Sequence, residues 1–85
     1  MASPQELALL RLRVVAEADP GALARVIERF QNLNVLPRRV VAEFGSTGAF
    51  HIQVDVLGVP EPMLTLITEK IAQVPSVLNA HWHYA

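Results

Sequence analysis

Residues 11–30 read RLRVVAEADPGALARVIERF, and the fold turns on a change of period inside them. From Leu7 to Glu17 the chain alternates, with Leu10, Leu12, Val14 and Ala16 on one side and Arg11, Arg13, Val15 and Glu17 on the other. That is the period of a half-buried strand. Asp19-Pro20-Gly21 punctuates it: Asp19 can accept amide hydrogen bonds as a helix cap, and Pro20 suits a first helical position, where its missing donor costs nothing. Leu23, Val26, Ile27, Phe30 and Leu33 then recur at helical spacing, with Arg25, Glu28 and Arg29 on the far side. Asn32-Leu33-Asn34 ends the helix, because asparagine tolerates a left-handed backbone better than most residues.

The same sequence of signals repeats outward from that stretch. Val35 to Phe44 reads as a second strand, and Gly45-Ser46-Thr47-Gly48 as a hairpin loop whose glycines supply positive φ angles. The third strand places Phe50, Ile52, Val54 and Val56 on one face and His51, Gln53 and Asp55 on the other. Gly58 to Pro62 breaks it. Met63, Ile67, Ile71 and Val74, with Leu64 and Leu66 beside them, give a second amphipathic helix that Pro75 stops. Ser76 to Tyr84 closes the pattern as a fourth strand with Leu78, Ala80, Trp82 and Tyr84 inward and Val77 outward.

The order is therefore βαββαβ, and a shift of 40 residues lays Val14 on Val54, Pro20 on Pro60 and Ile27 on Ile67. Right-handed crossovers in each half predict an α+β, ferredoxin-like sandwich. Its sheet is antiparallel in spatial order 4-1-3-2, with both helices on one face. Residues 1–6 are expected to be a flexible tail and 7–85 a single domain. The open sheet face and the edge strands remain for a partner.

Composition narrows the function. The chain has 85 residues, 52% of them hydrophobic and only 18% charged, which predicts more apolar surface than one small core hides and hence self-association. A net charge of −1 provides no phosphate-neutralising excess, so nucleic acid is not the expected partner. The absence of cysteine removes thiolate catalysis and cysteine-ligated metals. No apolar run approaches the roughly 20 residues of a membrane span, and no signal peptide is legible, so a cytoplasmic location is expected.

No catalytic constellation emerges. Ser3, Ser46 and Ser76 fall in a tail, a loop and a strand start. An acylphosphatase on this fold needs an anion cradle at the first loop, which here is the acidic Glu17-Ala18-Asp19-Pro20-Gly21. An RNA-recognition module needs aromatic residues on the open face, whereas Phe50 has core parity. His51, His81 and His83 share the open face, but zinc requires three or four converging ligands. His51 starts the third strand while His81 and His83 finish the fourth, so the three are expected at opposite ends of the sheet. No cofactor or metal is predicted. Arg11, Arg13 and Arg39 on that face either pair with Glu17, Glu43 and Asp55 across strands or meet an anionic or protein partner there. The strongest local signal is Asp19-Pro20-Gly21-Ala22-Leu23. Such a strand-to-helix turn either caps its own helix or turns free amides toward the carboxylate of a small ligand.

The stretch from Glu17 to Phe30 resembles the first turn and helix of an ACT domain, closest to that of the short regulatory subunit of acetolactate synthase. Lys70 to Leu78 is similar to the second helix and fourth strand of the same family. The resemblance implies a non-catalytic module that pairs through edge strands as a homodimer and binds an amino-acid effector at the junction. It implies a catalytic large subunit as partner and a role in branched-chain amino-acid synthesis. The other reading it leaves is a free-standing amino-acid sensor. Carried onto this sequence, the ligand set is Ala18, Asp19, Pro20, Gly21, Ala22, Leu23, Val35 and Leu36. Gly21 matches the binding-turn glycine. Ala18 and Leu36 stand where the acetolactate synthase group has asparagines, so backbone groups would hold the ligand's polar ends.

Overall fold

The computed structural model describes residues 8–85, and the expected tail over residues 1–6 and strand start at Leu7 lie outside the described residues. Along the chain run β1 (Leu9–Ala16), α1 (Ala22–Gln31), β2 (Arg39–Phe44), β3 (Phe50–Leu57), α2 (Glu61–Ala72) and β4 (Val77–Tyr84). The sheet order is β2-β3-β1-β4 with every neighbouring pair antiparallel, which is the expected 4-1-3-2 arrangement read from the other edge.

Parity builds the core as the alternation requires. Leu10, Leu12 and Val14 of β1 meet Ile52, Val54 and Val56 of β3, and onto them pack Val26 and Phe30 of α1 with Leu64, Ile67 and Ile71 of α2. Each fully buried side chain of this kind contributes about 1.5–3 kcal/mol. Both helices therefore cover one face of the sheet. They stop short of β2, whose helix-side residues Val40, Ala42 and Phe44 stay exposed, Phe44 at 67%.

Three local readings differ from the sequence pattern. The second strand begins at Arg39 rather than Val35, because the Val35 amide turns back to the Phe30 carbonyl and Pro37 has no amide to donate to a ladder. Gly45 of the hairpin loop does not take a positive φ, and Gly48 alone carries the reversal at φ 88°. In β4 the register shifts opposite Val15 and Ala16, so that Val77 pairs with Ala16 and packs on the core while Leu78 is 62% exposed. The bulge exchanges the faces assigned to those two residues. At the end of α1, Asn34 adopts φ 57°, the left-handed conformation expected of an asparagine there.

Candidate functional site

The turn after β1 is tightly self-bonded. Asp19 accepts the Gly21 amide on Oδ1 at 3.0 Å and the Ala22 amide on its carbonyl at 3.0 Å. Its Oδ2 takes the Arg25 guanidinium at 2.7 Å. The Gly21 amide first, and the Arg25 charge with it, hold the Asp19 carboxyl below the usual carboxylate range against the opposing effect of burial. Helix α1 starts at Ala22 with Gly21 as N-cap, so Asp19 bonds the turn before the helix instead of capping the helix itself. Two of the amides offered by the turn are thereby already taken. Gly21 has φ −83°, a conformation open to any residue, and an added Cβ would meet only the mobile end of Arg25.

Beside the turn lies a hollow of about 290 Å³ formed by Ala18, Asp19, Pro20, Leu23, Phe44 and Phe50. Four of the eight residues carried over from the resemblance thus gather at one apolar recess. Gly21 stands at its edge in the backbone, and the Ala22 side chain is fully buried in the core. Val35 packs on the core and Leu36 is 89% exposed. Both precede β2 at the Arg39 end, whereas the turn adjoins the Phe44–Phe50 end of the sheet. Within one chain they do not meet the turn.

Phe44 and Phe50 escaped the reading of residues. They pair across the β2–β3 hairpin, and Phe50 also faces Ala16, the last residue of β1. Register counting back from the Gly45–Gly48 loop places an aromatic pair beside the Asp19 turn. On the other side of the turn, Glu17, Ala18, Asp19, Arg25, Pro75 and Ser76 line a second hollow, in which Ser76 Oγ is buried with no hydrogen-bond partner among the described residues.

The open face of the sheet is ordered in rows across β2, β3, β1 and β4. They run Arg39–Asp55–Arg11–His83, then Val41–Gln53–Arg13–His81, then Glu43–His51–Val15–Asn79. The expectation that the histidines lie at opposite ends of the sheet is corrected here. Strands β3 and β4 both start level with Ala16, so His51 and His81 fall one row apart and border one shallow hollow with Arg13, Gln53 and Glu43. Among the described residues no group of three histidines or carboxylates is placed to hold a metal ion. The expected cross-strand pairing is found for Arg11 and Asp55. No described helix is long and apolar enough to cross a membrane.

No family model matches the sequence, and no curated protein matches it. Solved structures do. The chain is similar to the C-terminal domain of the MgtC protein from Mycobacterium tuberculosis, with a TM-score of 0.77 at 15% identity over 99% of this chain and 94% of that one. It is similar to the ACT domain from GTP pyrophosphokinase of Chlorobium tepidum, with a TM-score of 0.75 at 18% identity over 89% and 97%. The regulatory subunit of aspartate kinase from Thermus thermophilus matches at 0.73 and 10% identity over 91% of this chain and 51% of that one. The fold is that of the ACT domains.

Proposed function

We propose that the chain is a regulatory module that works as a homodimer joined through β2 and binds a small amino acid at the junction. The observation that carries this reading is the uncovered β2 edge. Val40, Ala42 and Phe44 are exposed there on the helix side, among the described residues the strand has a neighbour on one side only, and its Phe44 end borders the Asp19 hollow. Two copies pairing antiparallel along β2 about a two-fold axis set the start of one strand against the end of the other. Leu36 and Val35 of one copy then approach the Asp19 turn and Phe44 of its partner. The two separated halves of the ligand set become one site only in such a pair.

The recess is apolar; the Asp19, Gly21 and Ala22 amides of the turn are already bonded within the chain, and the Asp19 carboxylate is engaged by Arg25. It suits an amino acid with a branched aliphatic side chain, whose burial contributes the larger part of the affinity. In this reading the chain has no chemistry of its own and acts on a catalytic partner. The Glu17–Phe30 resemblance makes the acetolactate synthase large subunit the first partner to try. Light scattering should give a dimer mass at micromolar concentration, and calorimetry against valine, leucine and isoleucine should give saturable heat. A monomer with no heat from any of the twenty amino acids defeats the reading. A dimer that binds an amino acid but neither retains nor alters the large subunit removes only the named partner.

A further inference from the structure

The open face of the sheet carries a charge pattern that the effector site does not use. Three arginines stand on it, Arg11 and Arg13 from β1 and Arg39 from β2, against two carboxylates, Asp55 of β3 and Glu43 of β2. The whole chain is at −1, so this face is the positive side of a slightly acidic molecule. Arg11 is committed to Asp55 through two hydrogen bonds. Arg13 and Arg39 are exposed, and Arg39 forms no side-chain hydrogen bond among the described residues. Separated by β3 and offset by one row, their Cα atoms stand about 12 Å apart at the usual strand spacing and rise.

His83 sets its Nδ1 at 2.8 Å from the Tyr84 carbonyl, which can only accept, so Nδ1 carries the proton and Nε2 is left as an acceptor. Arg13 Nε donates to that Nε2 at 3.3 Å. His81 stacks on His83 at 6.0 Å, and His51 lies one row away from His81 on the same face. The charged groups facing them are the three arginines, Asp55 and Glu43, and no described helix covers this side.

We propose that this open face docks an acidic protein segment, whose carboxylates seat at Arg13 and Arg39. Spread cations fit a chain of carboxylates spaced along an extended segment. Single-stranded nucleic acid fits less well, since the aromatic side chains Phe50, Trp82 and Tyr84 share the helix-side parity and give the open face no stacking platform. The docking is independent of the amino-acid site, because none of its residues lines the Asp19 hollow.

The test is fluorescence anisotropy of a labelled short peptide of alternating glutamate and serine, at low salt and about pH 7.5, where glutamate is ionised. Expected is saturable binding. Arg13→Gln with Arg39→Gln should abolish it, while Arg25→Gln with Arg29→Gln on α1 should leave it intact. Circular dichroism verifies that each variant is folded, and if the arginine pair is not, Arg13→Lys with Arg39→Lys, retaining charge, must bind as the parent does. No binding, binding unchanged in Arg13→Gln with Arg39→Gln, or an oligouridylate bound as tightly as the glutamate peptide overturns the proposal.

Discussion

Arg11 stands directly across from Asp55 in the β1–β3 ladder, and its Nε and Nη2 donate to the two carboxylate oxygens at 2.8 and 3.1 Å. Asp55 lies on the open face of the sheet yet is only 3% exposed, covered by that guanidinium and by Gln53, whose amide reaches Oδ1 at 3.5 Å. A carboxylate so covered has exchanged water for a fork of charged donors. Asp55→Asn keeps the shape and loses the charge, so the β1–β3 centre should be weakened by about 1–3 kcal/mol in urea titration. An unchanged midpoint would mean that the pair contributes nothing net.

The same pair sets a dependence on acid. Arg11, through its hydrogen bonds, holds the Asp55 carboxyl below the usual range, with Arg39 assisting and burial opposing. In the unfolded chain an aspartate takes its proton near pH 4. Between that pH and the lower folded value the unfolded state binds more protons, so stability present above about pH 4 is lost as pH falls. Asp19 acts in the same direction through Gly21 and Arg25. Denaturant midpoints measured from about pH 6 to about pH 2 should fall steadily in the parent and more shallowly in Asp55→Asn.

Phe44→Asp tests the edge. The side chain is two-thirds exposed, so a lone copy should tolerate the charge, with its melting temperature almost unmoved. In the proposed pair it would set like charges near the two-fold axis's flanking hollows and remove an apolar wall of the site. The expected outcome is a monomer by light scattering that no longer binds a branched-chain amino acid. A dimer of unchanged mass would move the junction to β4 or elsewhere.

The fold was legible because its signals are local. Alternation of Leu10, Leu12 and Val14 against Arg11 and Arg13, and the helical recurrence of Val26 and Phe30, each identify an element without knowledge of any other. What escaped depends on relations between elements. The nearness of His51 and His81 follows from where β3 and β4 start along β1, which no single strand records. The Phe44–Phe50 wall of the hollow likewise belongs to a hairpin register, although that register could be counted from the loop. The Asp19 turn was visible as a turn, but whether its amides were free or already bonded depended on the side-chain positions of Asp19 and Arg25.

Gly21→Ala separates the glycine's two roles. Its φ of −83° needs no glycine, and the nearest obstacle to a Cβ is the Arg25 Nη1 at 2.9 Å. The variant should fold with a melting temperature close to that of the parent, since a flexible guanidinium can move aside. If a ligand approaches the turn backbone, the added methyl will weaken its binding while the fold stays intact. Equal affinity in both proteins would show that the ligand does not touch Gly21.

The bulge in β4 yields a paired prediction, because two adjacent apolar residues exchange the environments that simple alternation assigns. With the register shifted opposite Val15 and Ala16, Val77 lies against the core and Leu78 faces solvent. Val77→Asp would press a carboxylate against apolar neighbours and should cost about 1–3 kcal/mol or more. Leu78→Asp should change stability by no more than about 0.5 kcal/mol. Urea midpoints of the two variants decide between the bulged strand and an unbroken alternation, which demands the reverse order. A shift of equal size in both would mean that Leu78 is covered in solution, and light scattering of Leu78→Asp would then show whether a second copy covers it.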